Sequence, residues 1–149
     1  MIEVDHVYDA IIVGAGPAGI SCALECVENA LDVVVIDRSD RIGGQLPLIP
    51  GPLLNFSAGF YVSGDALRNE MEKVAILALS QRIVTGLNVR SFNLQERTLE
   101  TSQGILRART IFLATGYRLR ELDISLSYGY ETDIYYHSGA FKQSLRIKS

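Results

Sequence analysis

The chain has 149 residues, enough for one ordinary domain with its own core and too few for two. Hydrophobic residues make up 48% and charged residues 21%, a globular composition that excludes a disordered chain. A net charge of −3 with scattered basic residues offers no footprint for nucleic acid, and no apolar run is long enough to span a membrane.

The N-terminus carries Glu3 and Asp5 where a signal peptide would have a basic stretch and an apolar block, so a cytoplasmic protein is expected. His6 precedes the first apolar run and reads as solvated. From Tyr8 to Val13 the pattern predicts a buried strand. It runs straight into Gly14-Ala15-Gly16-Pro17-Ala18-Gly19, a Gly-x-Gly-x-x-Gly turn that opens a helix. In such a turn Gly14 permits the tight bend, Gly16 lets the backbone approach a pyrophosphate, and Gly19 lets the helix lie close on the sheet. Pro17 suits the first helical position, where a missing donor is harmless. The helix is predicted from Pro17 to Asn29, with Ala18, Cys22, Ala23, Cys26, Val27 and Ala30 at helical spacing. Cys22 and Cys26 share one face with those alanines and read as small buried fillers; no metal site is expected.

Val33 to Ile36 is continuously apolar, as a parallel strand covered on both faces should be. Asp37 closes it, placed to accept from ribose hydroxyls, and this acid separates a dinucleotide site from a merely structural glycine turn. Arg38, next to it, could invite a 2′-phosphate, a reading that Asp37 opposes. Residues Arg38 to Gly64 hold three prolines and five glycines, too many breakers for a regular element. Their apolar content (Ile42, Leu46, Leu54, Phe56 and Phe60 among others) predicts a structured cover over a ligand. Ser63 should cap a second helix, with Asp65 in its first turn and Leu67, Met71, Val74, Ala75 and Ala78 as its buried stripe. Strand-like pieces follow at Ile83 to Phe92, Arg97 to Thr101 and Ile105 to Leu113, spaced as an antiparallel meander whose last member returns to the main sheet. From Tyr117 to Ser149 the chain shows no strong period and reads as a connecting segment.

Taken in order, Gly14 to Gly19, Asp37, Gly43-Gly44-Gln45-Leu46, Asn55-Phe56 and Ala114-Thr115-Gly116 resemble the N-terminal FAD-binding part of the thioredoxin-reductase-like flavoproteins, within the wider class of two-dinucleotide-domain disulfide reductases. The resemblance covers about Val7 to Leu122. It implies an α/β fold class: a Rossmann-like FAD-binding domain over residues 1–116, a parallel sheet with an antiparallel β-meander, incomplete without a segment that returns later in the family. Residues 117–149 would lead toward an NAD(P)H-binding domain. The resemblance further implies that Gly14, Gly16 and Gly19 hold the FAD pyrophosphate, with Pro17 and Ala18 between them also at the cofactor, and that Asp37, beside Arg38, holds the adenosine ribose. Gly43, Gly44, Gln45 and Leu46 would lie along the flavin, with Asn55 near its polar edge. Val84 would meet the adenine through its backbone, and Ala114, Thr115 and Gly116 would pass the pyrophosphate.

One departure bears on mechanism. The family's Cys-x-x-Cys pair has no counterpart here: the comparable stretch is Ile134-Tyr135-Tyr136-His137-Ser138-Gly139. No disulfide relay is assigned, the catalytic residues stay unknown, and His137 reads as a solvated linker histidine. Two functions of different class follow from the resemblance. One is an FAD-dependent oxidoreductase whose flavin is reduced by NAD(P)H, the nicotinamide site being supplied by a second domain or partner polypeptide. The other is a truncated, non-catalytic nucleotide-binding module that serves as a regulatory or assembly partner. Either predicts a homo-oligomer or a partner completing the FAD domain, and neither a nucleic-acid nor a membrane partner.

Overall fold

The computed structural model describes residues 2–57 and 59–117. Among these residues six strands form one sheet: β1 (Val7–Val13), β2 (Val33–Ile36), β3 (Ile83–Val84), β4 (Val89–Asn93), β5 (Thr98–Thr101) and β6 (Gly104–Leu113). Their spatial order is β3-β2-β1-β6-β5-β4. β1 runs parallel to β2 and to β6, and β2 parallel to β3, whereas β4, β5 and β6 are joined antiparallel. The expected combination of a parallel α/β sheet and a β-meander is thus present, with the last meander strand inserted beside β1.

Helices α1 (Pro17–Glu28) and α2 (Gly64–Leu79) cover one face. Because side chains alternate along a strand, Ala10, Ile12, Val33 and Val35 meet Ile20, Ala23, Cys26, Ala75 and Leu79 there. The intervening residues Ile11, Val34 and Ile36 pack on the opposite face with Tyr8, Leu87, Leu99, Leu106 and Ala108. The parallel strands therefore read as unbroken apolar runs because both faces are covered. Helix α1 ends where Asn29 donates through its side chain to the Glu25 carbonyl at 2.9 Å. Ala30 follows with φ +56°, and the amide of Leu31 reaches back to the Cys26 carbonyl at 2.9 Å. Ser63 caps α2, its hydroxyl accepting from the Ala66 amide at 3.2 Å.

Several expectations are corrected. Ile83 to Phe92 is not one strand: Gly86, at φ +70°, turns the chain so that β3 joins the parallel end and β4 the far antiparallel edge. The buried stripe of α2 is Leu67, Arg68, Ala75 and Leu79, with Met71 half-buried, while Val74 and Ala78 face outward. Steps of four residues from Leu67 keep this stripe on α1 and the Leu46–Leu48 turn, and Val74 falls off it. Ala18 and Ala30, assigned to the cysteine face, are exposed. His6 is half-buried rather than free: it pairs with Asp32 at the start of β2 and meets Tyr8 edge-on, ring centroids 4.7 Å apart. The described residues of the 38–64 connection are structured as expected, with a 3-10 turn at Leu46–Leu48 and an antiparallel bridge between Leu53 and Tyr61. His137 and the connecting segment beyond Tyr117 lie outside the described residues.

Candidate functional site: the glycine turn and its cleft

The carboxyl ends of β1, β2 and β6 converge where β1 turns into α1. The three fingerprint glycines answer to three different neighbours. Gly14 holds φ +112°, donates to the Ile36 carbonyl at 2.8 Å, and lies so close to β6 that a Cβ would sit 2.3 Å from the Ala114 oxygen. A Cβ on Gly19 would lie 1.8 Å from the Gly14 oxygen, so this glycine exists for helix–turn packing. Gly16 differs. Its backbone is extended (φ −76°, ψ −178°), and the nearest atom to an added Cβ is the Gly44 Cα at 3.9 Å. No protein contact among the described residues requires glycine there.

Gly16 is also the N-cap of α1. It supplies no side-chain cap, Pro17 fills the first turn, and no acidic side chain lies in that turn. The amides of Ala18 and Gly19 therefore have no acceptor within the helix, and the helix dipole adds positive potential at the same place. An anion fits this arrangement.

Asp37 stands across the turn, and its carboxylate is already engaged. One oxygen accepts from the Ala15 amide at 2.6 Å and the other from the Ser39 amide at 2.7 Å. Each oxygen keeps a second lone pair, so a ribose hydroxyl remains an acceptable further donor. A cleft of about 360 Å³ opens here, lined by Gly14, Asp37, Arg38, Asn88, Thr115 and Gly116 among others. It joins Gly14 of the fingerprint, the acid and the Thr115-Gly116 turn, residues far apart in the chain. Leu87, Asn88 and Val89 form a wall that sequence reasoning missed; Gly86 inside a supposed strand was the signal for it. Leu87 donates to the Asp37 carbonyl at 2.8 Å and Gly86 to the Ser39 carbonyl at 2.9 Å, which fixes that wall to the end of β2.

The Gly43-Gly44 loop leans on the same turn. The Gly43 amide donates to the Ala15 carbonyl at 2.8 Å, and a Cβ on Gly44 would lie 3.3 Å from the Gly16 Cα. Gln45 donates through its side chain to the Tyr117 carbonyl, tying the loop to the chain leaving β6. Leu46 is buried, its carbonyl against Gly64. Of the expected residues, Gly14, Asp37, Arg38, Thr115 and Gly116 line the cleft; Gly16, Pro17, Ala18, Gly19, Ala114 and the Gly43 to Leu46 loop lie beside it in the turn and its neighbours, and two stand apart. Val84 is half-buried on β3, its carbonyl accepting from the Asp37 amide at 3.0 Å, and Asn55 is exposed in the long connection.

Away from this site, Cys26 is buried and Cys22 half-buried, both as free thiols. Burial, followed by the neighbouring Cys22, pushes the Cys26 thiol above its usual range. A further cleft of about 530 Å³ opens where β2 begins, but its Asp32 already holds His6 and Arg82. Among the described residues no helix is long and apolar enough to cross a membrane.

A mixed sheet with a parallel half, a glycine turn feeding a helix and an acid at the end of the next strand make an α/β fold of Rossmann type. The chain belongs to the pyridine nucleotide-disulphide oxidoreductase family, whose model matches residues 8–147. It is 32% identical over 120 residues to a ferredoxin–NADP reductase of Lacticaseibacillus paracasei, a match covering 77% of this chain and 36% of that protein. A 34.2 kDa protein of the rubredoxin operon in Clostridium pasteurianum is 30% identical over 118 residues, covering 78% and 37% respectively. Among solved structures, thioredoxin reductase from Streptococcus pyogenes superposes with a TM-score of 0.67 at 26% identity, covering 79% of this chain and 38% of that one. The T. acidophilum thioredoxin reductase superposes at 0.68 and 24% identity, covering 85% and 41%. The resemblance to the N-terminal part of thioredoxin-reductase-like flavoproteins is thus matched in sequence family and in fold. The chain spans little more than a third of the curated relatives it matches.

Proposed function

We propose that this chain is the FAD-binding part of an NAD(P)H-dependent oxidoreductase of thioredoxin-reductase-like type. The observation that carries the reading is Gly16. It is the fingerprint glycine with open space before it, and it sits beside unpaired first-turn amides, two residues along the turn from Gly14, which lines the cleft together with Asp37. A bound pyrophosphate would explain both the missing side chain and the missing cap. In this reading Gly14 and Gly19 build the turn, the amides of Ala18 and Gly19 hold phosphate oxygens, and Asp37 accepts from the ribose. Arg38 and Asn88 flank the adenosine end, and the Gly43-Gly44-Gln45-Leu46 loop extends the site toward the flavin. Bound FAD supplies the electron transfer from a nicotinamide to an acceptor, and the protein's part is to bind, orient and shield it.

The nicotinamide site belongs to a second domain or a partner polypeptide, since residues 1–149 carry one glycine fingerprint. The domain assignment follows: residues 1–116 as the FAD-binding unit and 117–149 as the connection. The cytoplasm is the compartment in which Cys22 and Cys26 stay reduced. One observation favours association, whether with another copy or with a completing polypeptide. β6 pairs with β5 only up to Arg107, so from Thr110 to Leu113 its ladder partner among the described residues is β1 alone, and Phe112 and Leu113 are exposed there. Exposed apolar strand edges of this kind favour pairing.

Flavin fluorescence on titration with FAD, run beside a titration with NADP, tests the proposal. FAD should bind and be displaced by ADP, and NADP should bind more weakly. Tighter retention of NADP would replace the flavin reading with a bare nicotinamide-binding fold. NADPH-dependent dye reduction by these residues alone should stay near background.

A further inference from the structure

Arg68 is 9% exposed on α2, an unusual burial for an arginine. Among the described residues its head group bonds only within its own helix: Nε donates to Asp65 Oδ1 at 3.1 Å and Nη2 to Asn69 Oδ1 at 3.5 Å. The hydrocarbon stem does something else. A Cβ placed on Gly43 would lie 2.5 Å from Arg68 Cγ and 2.7 Å from Cδ, so the Gly43 backbone rests directly on the stem. On its other side Gly43 donates to the Ala15 carbonyl at 2.8 Å, and Gly44 packs on Gly16. The contacts form one stack from α2 through the loop to the fingerprint turn.

We propose that Arg68 is a positioning residue of the dinucleotide site, its buried stem propping the Gly43-Gly44 loop against Gly16. The need for a prop follows from the loop's composition. Gly43 and Gly44 sit at φ +109° and +55°, where glycine alone is at ease, and two adjacent glycines are the most permissive backbone a loop can have. The nearby Arg41–Glu72 pair, 3.7 Å apart and solvent-accessible, adds little restraint. Arginine serves here because its stem buries while its head reaches Asp65 at the edge, so the stem is held in one place. Gly43 is glycine for this contact as well as for its φ.

The proposal rests on the flavoprotein reading for its consequence but not for its geometry, and the test separates the two. Amide hydrogen exchange at Gly43 is measured without cofactor in the wild-type chain and in Arg68→Ala, Arg68→Met and Arg68→Lys. Exchange at Gly43 should rise at least tenfold in Arg68→Ala and return close to wild type in Arg68→Met and Arg68→Lys, which restore a stem. FAD affinity, measured on the same proteins, should fall about tenfold in Arg68→Ala and recover in the other two. Should Arg68→Ala fail to fold, Arg68→Val, which lacks Cδ, decides by the same two measurements. Wild-type exchange in the shortened variants would overturn the proposal, and so would loss of protection in Arg68→Met, which would assign the effect to the guanidinium. A wild-type chain that does not bind FAD would sink the flavoprotein reading and leave the exchange result standing.

Discussion

The carboxylate of Asp37, at the end of β2, accepts a 2.6 Å hydrogen bond from the amide of Ala15 inside the glycine turn. The acid expected to recognise ribose thus also braces the loop that would hold the pyrophosphate. Its second oxygen caps the Ser39 amide and steadies the chain as it leaves the strand. In the proposed site, binding and local stability would therefore be coupled through one side chain.

Asp37→Ala should lower both. Hydrogen bonds to a charged acceptor contribute roughly 1.5–3 kcal/mol each, and partial exposure reduces that. A loss of about 2 kcal/mol in urea unfolding is expected, with weaker FAD binding on top. Weakened binding at unchanged stability would mean that the Ala15 contact contributes nothing in solution.

The fingerprint glycines should separate by mutation. Gly19→Ala places a Cβ 1.8 Å from a backbone oxygen that cannot move aside, so that variant should fail to fold or melt far below wild type. Gly16→Ala meets, among the described residues beyond its chain neighbours, no atom closer than the Gly44 Cα at 3.9 Å and should melt near wild type while losing FAD affinity. Thermal melts paired with FAD titrations check this. Equal damage to folding by both changes would contradict the assignment of Gly16 to the ligand.

The two thiols should differ in reactivity. Raising a thiol's pKa lowers its thiolate fraction at any given pH, and only the thiolate is the nucleophile. Cys26 is raised by its burial and is less accessible, so iodoacetamide at mildly alkaline pH should alkylate Cys22 first. Peptide mass mapping over time reads the order. Replacing both cysteines with Ala should leave FAD binding intact, as expected of core fillers.

Ala30 occupies a left-handed position, φ +56°, just after α1. A residue with a Cβ costs roughly 1–2 kcal/mol there relative to glycine, and glycine's greater chain entropy returns part of that. Ala30→Gly should stabilise the chain by about 1 kcal/mol in denaturant unfolding. A destabilised variant would mean that the Cβ makes a compensating contact.

The sequence by itself determined what is local. The apolar runs of β1 and β2, the glycine spacing between them, Pro17 at the helix start, Ser63 as a cap and the meander of β4 to β6 were legible because each depends on residues close in the chain. The candidate site was legible as a set of motifs for the same reason. What the tertiary structure decided is which of those motifs meet, and what else meets them. Thr115 and Gly116 reach Gly14 because β6 inserts beside β1, and Leu87 to Val89 wall the cleft because Gly86 sends β3 and β4 to opposite edges. The burial of Arg68 beneath Gly43, and the engagement of Asp37 by Ala15, join elements separated by long stretches of chain. Periodicity reports which side of its own element a residue occupies, whereas such contacts depend on how elements distant in sequence pack together.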